Sequence, residues 1–358
     1  MDKINKSLKL IISITMISLI GGLAAACSPQ TQTPTQETVL PLTVQQAEPT
    51  YTPTPRLTRT PTPSALGSQN NPITMGFILK PEETTAIQAA EDVAFLISDL
   101  TGYQVESLFY PDFTSYAQAA EKGEIHLMWL KPFEYLYLQD QGAADALIMT
   151  NHLGVYAYGV QFMANVMRGF TTYYDPQTNE SIGTPVQALQ QFAGTRPCFI
   201  NNESIPGYYV PLGLLANAST PTLEPVFTFG YSPIIRALYT QGICDFGAAY
   251  ALTGDPRSAS DVLQDLPDAR DLVTIIWQSE GIIPNIGLAA SPVLPENIAF
   301  QLEEAVLEIQ QNPEGLSLLS TALKYDVEAM KRVNDSFYNP LREAIAPLAL
   351  DLAEITQP

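Results

Sequence analysis

From Ile73 onward, short apolar runs alternate with segments of helical period, and this alternation limits the possible folds more than any other feature of the sequence. The run from Ile73 to Leu79 predicts a strand, and Thr84 to Leu100 predicts a helix that ends at Gly102. Alternating strands and helices are typical of α/β folds, in which helices flank a mostly parallel sheet. The sequence therefore predicts the α/β class.

The alternation runs through two cycles, which are separated by a polar loop at residues 169–183. Further elements of the first cycle are predicted strands at 105–110, 125–130 and 146–149 and predicted helices at 115–122 and 133–141. The second cycle has predicted helices at 185–192, 207–215 and 233–240 and predicted strands at 197–201, 226–229 and 244–249. Residues from Ile275 onward are expected to return to the first lobe, with a helix at 296–310 on its outside.

Two such cycles predict two lobes with a cleft between them. We expect lobe 1 at about 73–160 and 280–358 and lobe 2 at about 165–275, joined by crossing segments near 160–166 and 275–283. Ligands of open α/β sheets bind beyond the carboxyl ends of the strands. A ligand that contacts both lobes would favour a closed arrangement by its differential affinity.

The N-terminus has the pattern of a secretion signal. Lys3, Lys6 and Lys9 precede an apolar run and three alanines, which lead directly to Cys27. A charged start, a short apolar run and small residues before a cleavage point are typical of a signal peptide at residues 1–26 rather than of a membrane anchor. A cysteine in this position resembles the lipobox of bacterial lipoproteins, so we expect Cys27 to be acylated and to hold the chain outside the cell membrane.

Residues 27–72 are rich in proline, threonine and glutamine. Such a segment cannot bury enough apolar surface to offset its ordering entropy, so we expect a disordered tether between the lipid and the binding domain at 73–358.

The charge of the chain limits its partners. The formal net charge is −20, and removal of residues 1–26 would make it −22. Nucleic acid is excluded as a partner, because phosphate backbones require clustered Lys and Arg. A small anionic ligand stays possible, since helix N-termini and backbone amides bind anions locally.

Cys198 and Cys244 are the two cysteines beyond the predicted lipid site. A disulfide between them fits an oxidising compartment, and two buried free thiols are the alternative. The sequence does not supply the Cα distance that decides between them.

Several motifs in this order resemble the phosphate/phosphonate-binding family of periplasmic proteins. Asp112 and Tyr116 precede the segment AAEKGEIHLMWLKPFEY at 119–135, and GYYVPL follows at 207–212. The segments GICDFGAA at 242–249, IPN at 283–285 and LPE at 294–296 continue the resemblance. It implies a two-lobed type II periplasmic-binding-protein fold that delivers a small ligand to an ABC-type importer.

The sequence departs from this family where the family binds its ligand. The family's Ser-Thr-Ser turn is replaced by Ser204-Ile205-Pro206, and its Ser-His-Asp by Tyr231-Ser232-Pro233. Two hydroxyl donors and one amide hydrogen are thereby absent. The ligand is phosphonate-, phosphate- or phosphite-like by resemblance, or else another organic solute.

Candidate ligand contacts are Phe77, Trp129, Lys131, Tyr135, Ser204, Tyr208, Tyr231, Ser232 and Tyr250. Aromatic faces beside Glu203 would suit a cationic group through cation–π attraction. Alternatively, about half of these rings are core residues, and Lys131 either contacts the ligand or points to solvent.

An enzyme is not expected. His126 and His152 are the only histidines, and His126 lies in a predicted strand, where a structural role is favoured over catalysis. The chain lacks the HExxH, GxSxG and P-loop motifs and any spaced Cys/His set, so no catalytic residue, metal or cofactor is predicted. We expect a monomer that works with a small ligand and an ABC permease. The alternatives are a sensing domain without transport and, more remotely, a hydrolase.

Overall fold

The computed structural model describes residues 64–356. The predicted signal peptide, the predicted lipid site at Cys27 and residues 27–63 of the predicted linker lie outside the described residues. Residues 64–72, which were assigned to the linker, are part of the fold. They form a turn closed by the hydrogen bond from Gly67 N to Asn71 O (2.8 Å), and Leu66 packs against the core. The folded domain therefore begins before Ile73.

The described residues contain fourteen strands and twelve α-helices. The strands are β1 (Ile73–Ile78), β2 (Val105–Tyr110), β3 (Leu127–Leu130), β4 (Asp145–Asn151), β5 (Ala157–Asn165), β6 (Tyr174–Asp175), β7 (Glu180–Ser181), β8 (Pro197–Phe199), β9 (Val226–Phe227), β10 (Phe246–Ala251), β11 (Val273–Gln278), β12 (Ile283–Pro284), β13 (Gly287–Ala290) and β14 (Ala329–Arg332). The helices are α1 (Thr84–Thr101), α2 (Phe113–Glu121), α3 (Pro132–Asp140), α4 (Pro185–Leu189), α5 (Val210–Asn217), α6 (Tyr231–Thr240), α7 (Ser260–Asp265), α8 (Ala269–Leu272), α9 (Glu296–Ile309), α10 (Pro313–Leu323), α11 (Asn339–Ile345) and α12 (Leu352–Thr356). A π-helix covers Ile205–Tyr209.

Twelve of the strands form two main sheets, one in each lobe, and β6 pairs with β7 in a separate two-stranded sheet. Lobe 1 has the order β14-β4-β13-β3-β1-β2, and lobe 2 has the order β11-β5-β10-β8-β9 with β12 paired to β5. The α/β class and the two lobes are thus confirmed. Each sheet is mixed rather than mostly parallel, because the strands beside the crossings between lobes run against their neighbours. In lobe 1 β13 is antiparallel to β3 and β4, and in lobe 2 β5 is antiparallel to β10 and β11.

The strand pairing moves the boundaries between the lobes from the predicted positions. Residues 157–165 and 273–278 pair within the sheet of lobe 2, so the crossing segments lie at 152–156 and 285–286. The predicted crossings at 160–166 and 275–283 are largely strands of lobe 2.

The C-terminal segment contacts both lobes instead of lobe 1 alone. After β14, helix α11 packs on α5 of lobe 2, and α12 packs on α3 of lobe 1. A Cβ on Gly213 of α5 would lie 2.1 Å from the Ala344 carbonyl oxygen, so this close approach requires glycine. We call residues 333–356 the C-terminal strap.

Buried side chains support both lobes. On one face of the lobe 1 sheet, α1, α9 and α10 bury an apolar cluster, and α1 ends at Gly102, whose left-handed conformation lets its N–H bond Ser98 O. On the other face the core continues without a break into lobe 2. A disulfide joins Cys198 and Cys244 of lobe 2, whose Cα atoms are 5.6 Å apart. Within residues 64–356, no helix is both long enough and apolar enough to cross a membrane.

Candidate functional site

The three parallel strands of lobe 1 end beside one cavity. Lys80, Pro111 and Lys131 follow the carboxyl ends of β1, β2 and β3, and all three line a cavity of about 270 Å³. Its other lining residues are Phe77, Ile78, Glu83, Trp129, Glu134, Ile286, Ala322, Leu323 and Lys324. This edge of the sheet is where α/β folds bind ligands, so the cavity is the lobe 1 part of the candidate site.

Two aromatic residues form the apolar wall of this cavity. Phe77 is 2% exposed and packs against Phe109 at 6.2 Å between ring centroids. Trp129 is 3% exposed, and its indole N–H donates to no protein atom within the described residues. A buried N–H without an acceptor costs free energy.

Two carboxylates on the cavity are fixed by backbone hydrogen bonds. Glu83 accepts from Lys80 N at 2.7 Å and pairs with the Lys324 ammonium. The hydrogen bond from Lys324, followed by that from the backbone of Lys80, lowers the pKa of Glu83. Glu134 accepts from Lys131 N at 2.8 Å, and its second oxygen lies 3.7 Å from the Lys131 ammonium. Burial raises the pKa of Glu134, and Lys131 opposes the rise.

The corresponding edge of lobe 2 carries hydroxyl groups and rings. Ser204 caps the π-helix by accepting from Gly207 N at 3.0 Å. Burial raises the pKa of Tyr231, while a hydrogen bond with Ser204 opposes the rise. Tyr250, at the end of β10, meets Tyr231 edge-on at 4.8 Å between centroids. Tyr208 of the π-helix packs edge-on against Phe199 and Phe227.

Two residues of lobe 2 adopt left-handed backbone conformations where their strands end. Phe229, just beyond β9, has φ +56° and is 81% exposed. Leu252, directly after β10, has φ +73°. Bulky side chains rarely occupy this region, and such strain is concentrated at functional sites. The sequence predicts neither conformation, because it places Phe229 in a strand at 226–229 and no local pattern indicates a positive φ.

The two edges meet at two places. Phe133, at the start of α3, contacts Tyr209 of the π-helix at 5.5 Å between centroids. Tyr158 of β5 in lobe 2 lies close to Tyr231 of the same lobe and to Tyr325 of lobe 1, which follows α10. Burial, and to a lesser extent these two neighbours, raises the pKa of Tyr158. The lobes therefore contact each other through Phe133 with Tyr209 and through Tyr158 with Tyr325.

The structure separates the predicted contacts into groups. Phe77, Trp129 and Lys131 line the lobe 1 cavity, and Lys131 is largely exposed. Ser204, Tyr208, Tyr231 and Tyr250 lie together at the lobe 2 edge.

Tyr135 and Ser232 belong to neither group. Tyr135 is 1% exposed, stacks on Tyr338 at 4.0 Å and donates its hydroxyl to Asp335 at 2.9 Å, so it is a core residue under the C-terminal strap. The Ser232 hydroxyl points to α7, where it bonds Asp261 at 3.0 Å.

Both histidines make structural contacts. His126 Nδ1 accepts from Thr74 N at 3.1 Å and so links β1 to the start of β3, and burial lowers its pKa. His152 packs on Tyr325 at 4.3 Å between centroids. No group of three or more His, Cys, Asp or Glu within residues 64–356 could hold a metal ion.

Comparison with known proteins agrees with the two-lobed fold. XAC2383 from Xanthomonas citri, solved bound to chloride ion, superposes with a TM-score of 0.52 at 14% identity, over 79% of this chain and 98% of that one. The same protein bound to ATP gives a TM-score of 0.51 at 13% identity, over 82% and 98% of the two chains. PhnD1 from Prochlorococcus marinus in complex with methylphosphonate has 12% identity and a TM-score of 0.46, with 77% and 97% covered.

No curated protein sequence matches this chain significantly. The family model described as "ABC transporter, phosphonate, periplasmic substrate-binding protein" matches residues 75–338, which include both lobes and both edges of the candidate site. The resemblance drawn from the sequence motifs is thereby confirmed. The chain belongs to the phosphonate family of periplasmic substrate-binding proteins of ABC transporters.

Proposed function

We propose that this protein captures a small solute between its lobes outside the cytoplasm and delivers it to an ABC-type permease. Acylated Cys27 holds it at the membrane, and the Pro/Thr-rich segment is the tether. The binding residues are those of the two edges, with Phe77, Trp129 and Lys131 on lobe 1 and Ser204, Tyr208, Tyr231 and Tyr250 on lobe 2. Phe229 is added to them because it is exposed at the same edge.

One observation carries this proposal. The carboxyl ends of the parallel strands carry a cavity in lobe 1 and a group of hydroxyls and rings in lobe 2, and the two lobes contact each other through Phe133 with Tyr209 and through Tyr158. A solute that contacts both groups stabilises the closed arrangement by its differential affinity. The two crossing segments and the C-terminal strap are the connections that such closure must accommodate.

The test is native purification of the full-length chain followed by mass spectrometry of the small molecules that travel with it. Calorimetry then measures the affinity of the recovered compound, and small-angle scattering compares the apo and saturated protein. A bound solute together with a smaller radius of gyration supports the proposal. Protein that carries no solute and does not change in size contradicts it.

Membrane anchoring is tested separately in bacterial cells. The wild-type chain should incorporate an alkyne-labelled fatty acid and remain with the membrane fraction. The variant Cys27→Ser should lose the label, and Cys198→Ser, which keeps Cys27, is the matched control. Equal labelling of the wild type and of Cys27→Ser contradicts the anchor.

A further inference from the structure

We infer that the C-terminal strap is a latch that holds the two lobes at one separation when no solute is bound. Arg342 joins its helix α11 to lobe 1, and Asn217 joins the same helix to lobe 2. The inference goes beyond the proposed function, because it concerns the protein without a solute and does not depend on which solute the site takes.

Both ends of the strap lie on lobe 1. At its first end, Tyr338 is 1% exposed and stacks on Tyr135 of α3 at 4.0 Å between ring centroids. Asp335 accepts a hydrogen bond from the Tyr135 hydroxyl at 2.9 Å. At the other end, α12 packs on α3 as well. The strap therefore belongs to lobe 1 both before and after α11.

Helix α11, between these two ends, lies on lobe 2. The last carbonyl groups of a helix have no partner inside the helix and need an outside donor. The side-chain amide of Asn217 in α5 donates to the carbonyl oxygens of Glu343 and Ala344 at 3.1 and 3.2 Å. Gly213 of the same helix lets the Ala344 carbonyl approach closely. Hydrogen bonds and close packing thus hold the end of α11 on lobe 2.

Arg342 fixes α11 to lobe 1 at the same time. Its guanidinium donates to both carboxylate oxygens of Asp335, with 3.1 Å to Oδ2, and to the side-chain oxygen of Gln139 in α3 at 3.1 Å. Bidentate pairs of arginine with a carboxylate fix geometry as well as adding stability. Because Tyr135 holds Asp335, the ion pair ties the helix that packs on lobe 2 to the framework of lobe 1.

The strap is therefore a third connection between the lobes, beside the crossing segments at 152–156 and 285–286. Short crossing segments are the usual place about which lobes turn. A motion that separates α3 from α5 must break the hydrogen bonds of Arg342 or those of Asn217, since α11 carries both sets. Without a solute to favour another arrangement, these bonds keep the lobes at the separation they have here.

The test measures the distance between the lobes in the full-length chain without a solute. Glu91→Cys and Gln264→Cys place spin labels at exposed positions of α1 in lobe 1 and α7 in lobe 2. A Cys27→Ser background leaves no other thiol to label, because Cys198 and Cys244 form the disulfide. Mass spectrometry verifies that no solute is bound, and double electron–electron resonance gives the distribution of distances between the labels.

We expect one narrow distribution for the labelled protein with an intact strap. Arg342→Ala and Asn217→Ala should each widen it about twofold or more, because each releases α11 from one lobe. Arg332→Ala is the matched control, since it breaks an ion pair with Glu303 inside lobe 1 and leaves the strap unchanged. Its distribution should stay narrow. Circular dichroism verifies that all three variants fold.

Three outcomes overturn the latch. They are a wide distribution with the strap intact, an unchanged distribution in either Arg342→Ala or Asn217→Ala, and equal widening in Arg332→Ala. None of them bears on the proposed function, which is judged by the solute that the protein carries.

Discussion

The two lobes present the same edge of an α/β sheet with different means of recognition. At lobe 1 the strand ends lead into capped helices, and the exposed groups are charged lysines. At lobe 2 they lead into a π-helix and two left-handed residues, and the groups at the edge are half-buried rings and hydroxyls together with the exposed ring of Phe229. Lobe 1 thus presents charged side chains on regular helices and strands, whereas lobe 2 presents rings and hydroxyls on a backbone with left-handed residues.

This difference shows where each lobe needs support. Lysine side chains are flexible and reach a ligand from ordinary helix and strand ends. Lobe 1 therefore needs no strained backbone to position them. Strained backbone persists only where the surrounding structure over-determines it. Lobe 2 has such support in its disulfide, which joins β8 to the loop before β10, and in the ion pair of Arg168 with Asp245 at 2.6 Å.

Removal of the disulfide is expected to have the largest effect. The 46-residue separation of Cys198 and Cys244 predicts a loss of about 2–4 kcal/mol in the free energy of unfolding for the double variant Cys198→Ala/Cys244→Ala. Urea unfolding should be followed by fluorescence in Trp129→Phe and Trp277→Phe backgrounds, because each lobe contains one of the two tryptophans. The transition reported by Trp277 in lobe 2 should shift more than that reported by Trp129. Equal shifts would show that the lobes unfold together.

The next effect concerns the contact that ties the strap to lobe 2. Alanine has the higher helix propensity, yet Gly213→Ala should lower the free energy of unfolding by about 1–3 kcal/mol, because the new methyl group collides with the Ala344 carbonyl oxygen. Thermal and urea unfolding measure the change. Ala216→Ser, at an exposed position of the same helix, should change stability by less than about 0.5 kcal/mol. A stabilised Gly213→Ala would show that α11 is free to move away from lobe 2.

The sequence predicted the elements of the two lobes better than their boundaries. Strands β1 and β2 and helix α1 match within a residue or two, because their periodicity is local and Gly102 marks the end of the helix. The sequence predicts a crossing segment where strand β5 lies, since a strand buried on both faces has no alternating pattern. The same buried pattern hid its antiparallel direction, which only pairing reveals.

The site was predictable to the extent that it depends on strand ends. Trp129 and Lys131 stand at the carboxyl end of β3, and the rule that α/β sheets bind ligands at the carboxyl ends of their strands is enough to predict them. Lys80 and Lys324 meet at one cavity only through the fold, and they lie 244 positions apart in the numbering of the chain. The sequence predicts Tyr135 as a ligand contact because it lies close to the end of β3, as Trp129 and Lys131 do. In the structure the C-terminal strap covers it, and its partner Asp335 is too distant in the sequence to be predicted.

Asp335 tests how the strap is held on lobe 1. Its carboxylate accepts from Tyr135 at 2.9 Å and from Arg342, which also bonds Gln139 of α3 at 3.1 Å. Burial alone would raise the pKa of Asp335, but the hydrogen bonds from Arg342 and Tyr135 lower it below its usual value. Asp335→Asn should cost about 1 kcal/mol at pH 7.

Because the folded-state pKa of Asp335 is depressed, its contribution is complete above the unfolded value of about 4 and is lost as the pH falls through the folded value. The difference in unfolding free energy between wild type and Asp335→Asn should therefore be constant from about pH 8 to pH 5 and shrink below about pH 4. A difference that persists at pH 2 would assign the effect of the substitution to packing rather than to the carboxylate.

Phe229 gives the sharpest test of strain on lobe 2. Glycine removes the cost of the left-handed conformation, so Phe229→Gly should raise the free energy of unfolding by about 1 kcal/mol while weakening the affinity for the co-purified solute. Ser219→Gly is the matched control, because Ser219 is also left-handed (φ +54°) but follows the far end of α5. It should gain stability without a change in affinity. If Phe229→Gly binds the solute as tightly as wild type, the strain at this edge does not serve recognition, and the contrast between the lobes reduces to charge alone.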